Sequence, residues 1–365
     1  MSAFERGLFP AGVTTEQWPS SNGPLTVEMW YPATEETRGR DLDPATKDRY
    51  EAVWVEAGEE PELISQDAVR DADRGDETGP LVVFSHGFMG HRREGTFLCT
   101  HLASHGYTVI STDHPTSTSW EVEAALDLSG AADDGDSGAG GVEVMIQHRR
   151  DDLKALFAHA TERGLDNGRP IGFTGASLGG WTSLLAPSIG AHVHATVPMC
   201  PAGGLSPTSP MKNNPWADGL DFDWPEEVAC MMLVADRDSW LPLAGQFQLL
   251  RRTPPGSSMV VLCDADHNHF VDDIEMSQGH LREVTMALAD VLSDGPINWR
   301  AVAEAVAPFD ELVSEAATHK LWQGLVVSHF DAHLRGDTTA RTLLETDIQS
   351  TSRALGAETY VVRNL

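Results

Sequence analysis

The chain has 365 residues, 41% of them hydrophobic, enough to bury a large core in one big domain or two ordinary ones. Its 55 Asp and Glu against 25 Lys and Arg give a formal net charge of -30, a surface that repels nucleic acid and anionic membranes and argues against both as partners. No run of about 18 uncharged apolar residues occurs, so no membrane-spanning helix is expected.

The start, Met1-Ser2-Ala3-Phe4-Glu5-Arg6, has neither a basic nor a hydrophobic leader region. Cys99, Cys200, Cys230 and Cys263 are far apart and form no CxxC pair, and three of them lie in or beside apolar strand-like runs, which suits buried free thiols in a reducing compartment. A cytoplasmic protein is expected on these grounds, although a trimmed secreted form would begin in the same way.

The alternation in Leu25-Thr26-Val27-Glu28-Met29-Trp30-Tyr31 reads as a half-buried antiparallel strand ended by Pro32. Positions 33 to 79 are polar and acidic, a long excursion with few apolar anchors. Continuous apolar runs then recur at Leu81–Ser85, Tyr107–Thr112, Ile171–Thr174, Ala195–Met199, Met231–Val234 and Met259–Leu262, separated by helix-length segments. That is the signature of a mostly parallel sheet covered on both faces. The Gly-rich segment 130–141 reads as a surface loop. The clearest helix is Asp151 to Glu162, with Leu153, Leu156, Phe157 and Ala160 on one stripe. Helical patterning returns from about 299 to 335, and Thr359 to Val362 is strand-like. No repeat or linker divides the chain, so one decorated domain spanning 1–365 is expected.

Four segments carry candidate chemistry. Gly175-Ala176-Ser177-Leu178-Gly179 lies between an apolar strand and a helix-compatible run, the setting of a nucleophile elbow. The tight turn pushes the serine hydroxyl out, and the helix start aims free N–H groups at whatever it attacks. Ser85-His86-Gly87-Phe88-Met89-Gly90 is a Gly-bearing turn after a strand. The N–H of Phe88 there and that of Leu178 would make a two-donor oxyanion hole. Ala235-Asp236-Arg237-Asp238 runs into Pro242 and offers an acid to orient an imidazole. The spacing slightly prefers Asp238, with Asp236 the rival and the loser capping the next helix. The segment Cys263 to Asp273 supplies His267 or His269 as general base. It also crowds histidines with carboxylates, but no metal-ligand spacing such as HExxH is present, so neither metal nor cofactor is expected. Met89, Trp181 and Trp240 adjoin these segments and are candidates for a substrate pocket, with plain core packing the alternative, above all for Trp181.

Ser, then Asp, then His, each after a strand, is the order of the α/β-hydrolase fold, with a mostly parallel sheet of about eight strands and helices on both faces. Pro10-Ala11-Gly12 with Val27 to Pro32, Val83-Phe84-Ser85-His86-Gly87 and Leu102 to Tyr107 resemble the platelet-activating-factor acetylhydrolase and dienelactone-hydrolase-like group. The resemblance covers roughly 8–335, most firmly 81–115 and 170–273. His267-x-x-Phe270-x-Asp272 is similar to the segment that carries that group's catalytic histidine, and Ala235 replaces a glycine common before the acid. The resemblance implies Ser177, Asp238 and His267 as catalytic triad. Ala176 stands where many members carry histidine. Dienelactone hydrolases proper use cysteine where Ser177 stands, so lactone specificity is not implied, and neither is phospholipid specificity.

The expected function is hydrolysis of small carboxylic esters with short or modest acyl groups through an acyl-enzyme. The alternatives are another acyl bond (thioester, amide, lactone or polyester) or a non-catalytic binding protein on the same fold. The acidic surface fits either salt adaptation or an ordinary acidic protein. Activity and melting temperature from low to molar salt separate these: a rise in both marks salt adaptation, and no gain excludes it.

Overall fold

The computed structural model describes residues 2–51, 63–76, 79–121, 139–190, 192–207, 214–225, 228–291 and 298–365. The strands are β1 (Ala11–Trp18), β2 (Leu25–Pro32), β3 (Arg49–Glu51), β4 (Leu63–Ser65), β5 (Val69–Arg70) and β6 (Leu81–Ser85). They continue with β7 (Thr108–Thr112), β8 (Ile171–Ala176), β9 (Val193–Met199), β10 (Ala229–Ala235), β11 (Ser258–Leu262) and β12 (Thr359–Arg363). The longer helices are α1 (Thr96–Ser104), α2 (Ala139–Glu162), α3 (Leu178–Ile189), α4 (Leu243–Leu250), α5 (Ile274–Val291), α6 (Trp299–Ala305) and α7 (Glu315–Leu334).

Each continuous apolar run of the sequence is a strand of one sheet, ordered β12-β11-β10-β9-β8-β6-β7-β2-β1-β5; β3 and β4 pair separately. From β7 to β11 all neighbours run parallel, and β1, β2 and β12 add antiparallel pairings. The sheet has ten strands instead of about eight because β1 and β5 extend it beyond β2. β5 is only two residues long, and the polar Thr14-Thr15-Glu16-Gln17 of β1 carries no continuous apolar signal.

Alternate residues of β6 feed two cores. Val82 and Phe84 pack with Leu98 and Leu102 of α1 and Trp322, Leu325 and Phe330 of α7. Leu81 and Val83 pack with Leu153 and Leu156 of α2 and Trp181, Leu184 and Leu185 of α3. Burial on both faces is why these strands read as continuous rather than alternating. α2 begins at Ala139, well before the expected start at 151, because the glycines that open it mask its helical character. Positions 130–138 of the expected loop lie outside the described residues.

β2 corrects the half-buried expectation: only Thr26 is less than fully buried. Its polar Glu28 is enclosed, with Arg70 Nη2 at 2.9 Å, Arg93 Nε at 3.1 Å and Arg92 Nε at 3.4 Å from its carboxylate. The excursion is anchored by polar groups as well as by the buried Tyr50, Ala68 and Val69. Trp30 Nε1 donates to Gln66 Oε1 at 2.6 Å, and Gln66 Nε2 donates to Asp48 Oδ2 at 2.7 Å. Residues 52–62 and 77–78 of the excursion lie outside the described residues.

Sheet order places the site. The chain leaves β6 toward β7 on one side, and β8 pairs on the other. α1 and α3 cover opposite faces, and the turns after β6 and β8 lie at the carboxyl ends of the strands, where a reversal of strand order forms the ligand crevice of open α/β sheets. Ser85–Gly90 and Ser177 stand at that crevice.

Replacing Glu28 with alanine would leave a buried void and take from Arg93 its acid partner, while Arg70 keeps Asp48 and Arg92 keeps Asp113. Because the arginines keep partial access to water, the expected loss is at the low end for a broken buried pair, about 3 kcal/mol, read as a shift of the urea unfolding midpoint. A change under about 0.5 kcal/mol would contradict the anchoring role.

Candidate active site

Ser177 follows the last residue of β8 with φ 56° and ψ -113°, a conformation few non-glycine residues adopt. The turn holds it there: Ser177 N donates to Met199 O at 2.9 Å, and Ser177 O accepts from Trp181 N and Ala202 N, both at 3.0 Å. A β-carbon at Gly175 or Gly179 would lie 2.2 or 1.8 Å from Ser85 O, so only glycine lets the elbow approach the end of β6. Leu178 opens α3, and its N–H has no acceptor within the helix.

Asp238 is buried in the turn after β10. Its Oδ1 accepts from Trp240 N at 2.9 Å and Leu241 N at 2.7 Å, and its Oδ2 lies 2.9 Å from His267 Nδ1. Burial opposes a charge on His267, but the Asp238 carboxylate, with Cys200 beside it, outweighs burial and holds the imidazole well above its ordinary pKa. The Trp240 ring stacks on the imidazole, 6.2 Å between centroids, and its Nε1 donates to Thr285 Oγ1 at 3.2 Å.

The rival residues have other partners. Asp236 accepts from Ala265 N at 3.3 Å and does not cap the next helix, whose N-cap is Pro242. His269 is fully buried, with Asp266 N 3.1 Å from its Nδ1 and Val313 O 3.2 Å from its Nε2. Trp181 is buried in full with its Nε1 donating to Trp216 O at 2.7 Å, the core packing expected as the alternative to a pocket wall. Met89 is half-buried with φ 61°, its N–H on Ser117 O at 2.9 Å, while Phe88 is exposed.

Several residues of the site have no role in the reading of the sequence, although Asp272 belongs to the motif around His267 and Cys200 is expected as a buried thiol. Asp266 Oδ1 accepts from Ser239 N at 3.0 Å and His267 N at 2.7 Å, so one carboxylate ties the acid turn to the histidine loop. Asp272 Oδ2 accepts from Thr96 N at 2.8 Å, and Oδ1 accepts from Phe97 N at 2.8 Å, at the start of α1; burial lifts its pKa to about 7. Cys200 Sγ lies within 4.8 Å of a His267 ring nitrogen, and Met199, the residue before Cys200, accepts from Ser177 N, which places serine and imidazole in one neighbourhood. The Ser177 hydroxyl and the imidazole are not themselves hydrogen-bonded to each other.

Cys200, Asp238 and His267 offer donor atoms within 4.8 Å of one another, the spacing of a metal site. The donor set fits poorly, because Asp238 Oδ2 and His267 Nδ1 face each other and Asp238 Oδ1 already accepts two main-chain N–H groups. A cleft of about 610 Å³, lined by Tyr50, Arg70, Arg92, Arg93 and Trp120 among others, opens beside the segment that follows the Phe88 turn.

Residues 24–127 match the family model of platelet-activating factor acetylhydrolase, isoform II. That stretch includes the Phe88 turn but none of Ser177, Asp238 and His267. No curated protein matches the chain. Among solved structures, a ferulic acid esterase from Streptomyces cinnamoneus superposes with a TM-score of 0.55 and 21% identity, over 90% of this chain and 91% of that one. At that identity the likeness is one of fold, and the fold is that of the α/β hydrolases. Among the described residues, no helix is long and apolar enough to cross a membrane.

If His267 serves as a base it must be neutral, and its pKa is raised above 6.5. Ester-hydrolysing kcat/KM should therefore fall as the pH is lowered, with its acid limb centred above 6.5, as measured across a pH series with a chromogenic ester. A limb at or below 6.5 would contradict the strength assigned to the Asp238–His267 pair.

Proposed function

We propose that the chain is a serine hydrolase of small carboxylic esters with short or modest acyl groups. The observation that carries the reading is the anchored Asp238–His267 pair in the same neighbourhood as a serine held at φ 56° on a strand-to-helix elbow. The names of the matched family and of the structural neighbour, an acetylhydrolase and an esterase, support an ester over other acyl bonds.

In the proposed cycle, Ser177 Oγ attacks the ester carbonyl carbon and passes its proton to His267 Nε2. The carbonyl oxygen becomes an oxyanion held by the N–H groups of Leu178 and Phe88. Its collapse breaks the bond to the alcohol, which leaves with the proton from His267, and the acyl group stays on Ser177. Water then attacks the acyl-enzyme, giving its proton to His267, and the acid is released as Ser177 regains that proton. Asp238 holds the imidazole with Nδ1–H toward it and steadies the imidazolium. The bond between Ser177 and His267 forms with substrate in place, as catalytic hydrogen bonds often do. Trp240 and Met89 are the proposed pocket residues. The partner is a small ester, and no cofactor enters the cycle.

Ser177→Ala should lower kcat on a chromogenic short-chain ester by at least about 10⁴-fold, with KM little changed. Retention of wild-type activity would rule the mechanism out.

A further inference from the structure

We propose that Arg149 and Glu94 are positioning residues that lock the peptide between Gly87 and Phe88 with its N–H turned outward to the reacting oxygen. The inference rests on the reading of Phe88 N–H as an oxyanion donor.

Arg149, on α2, is 1% exposed and buries its guanidinium behind the turn. Its Nη1 donates to His86 O at 3.0 Å, Ser85 Oγ at 3.1 Å and Thr182 Oγ1 at 2.9 Å. Its Nη2 donates to Ser117 Oγ at 3.0 Å and Gly87 O at 3.4 Å. The Glu94 carboxylate accepts the other end of Gly87, its N–H, at 2.9 and 3.1 Å.

His86 supplies the third hold. Its Nε2 accepts from His114 N at 2.9 Å, so the ring proton sits on Nδ1 and is donated to Gly87 O at 2.7 Å. Burial and the Arg149 charge keep that ring neutral, well below its ordinary pKa. A trans peptide points its carbonyl and the following N–H in opposite directions. With Gly87 O drawn onto His86 and Arg149, Phe88 N–H faces away from them. The turn itself lies against the nucleophile: a β-carbon on Gly87 would be 3.4 Å from Ser177 Cβ.

Behind the clamp, Ser85 Oγ lies 3.0 Å from His114 Nε2, and His114 Nδ1 lies 3.0 Å from Asp152 Oδ2. This set has the connectivity of a second Ser-His-Asp relay, but Ser85 is fully buried and no substrate reaches it. It braces Arg149 and the end of β6. Lysine cannot replace Arg149, because a single ammonium does not span acceptors on both arms of the guanidinium.

The test compares Arg149→Lys, Glu94→Ala, Glu94→Gln and Ser177→Ala on one chromogenic ester, with circular-dichroism melts to establish that each is folded at assay temperature. Loss of a full oxyanion donor costs about 10²- to 10³-fold in kcat. Arg149→Lys and Glu94→Ala, which misplace the donor, should lower kcat at least about tenfold with KM within about threefold. Glu94→Gln keeps an acceptor for Gly87 N–H and should recover most of kcat. If Arg149→Lys does not fold, the two Glu94 variants decide. Folded Glu94→Ala with wild-type kcat, a Glu94→Gln as slow as Glu94→Ala, or a loss confined to KM would each overturn the clamp. An active Ser177→Ala would instead show that the underlying mechanism fails, and the clamp with it.

Discussion

The approach of the β8 elbow to the Ser85 carbonyl is the contact on which the rest of the site depends. Gly175 and Gly179 have no β-carbon, so the backbone after β8 rests directly on the end of β6. Because β6 and β8 are parallel neighbours at the point where strand order reverses, this contact joins the two turns that face the crevice. Ser177 and the Phe88 peptide therefore share one reference. A serine at φ 56° costs on the order of 1–3 kcal/mol, and the main-chain bonds to Met199, Trp181 and Ala202 over-determine it.

Around that contact the fold uses buried carboxylates as joints. Asp266 ties the turn of Asp238 to the loop of His267, and Asp272 ties that same loop to the start of α1. Glu94, between the Phe88 turn and α1, has its pKa lifted to about 7 by burial, against the Gly87 hydrogen bond and the Arg149 charge. Glu28 gathers arginines from the excursion and from the segment after the Phe88 turn. In a chain of net charge -30, these few enclosed acids each have dedicated donors, which is what makes their burial tolerable.

The central strands were legible because a parallel strand buried on both faces is a continuous apolar run, as at Leu81–Ser85 and Met259–Leu262. The elbow was legible because its geometry demands glycines at fixed spacing. β1 and β5 were not, since the polar Thr14-Thr15-Glu16-Gln17 interrupts the apolar residues of one and the other is two residues long. Arg149 was hidden for a different reason. It sits in Arg149-Arg150-Asp151-Asp152, where adjacent charges look alike, and only tertiary packing turns Arg149 and Asp152 inward while Lys154 stays outside. Glu94 was one acid among 55. The choice of Asp238 over Asp236 came from resemblance, and the reason for it is three-dimensional: Asp236 faces the Ala265 main chain, and Asp238 faces His267.

The central claim is that Ser177 is the activated nucleophile. Treating the whole protein with a fluorophosphonate and mapping the adduct by peptide mass spectrometry tests it most directly. The account predicts a single stoichiometric adduct on Ser177, lost in His267→Ala. No adduct at high probe concentration, or an adduct on another serine such as Ser85, would contradict it.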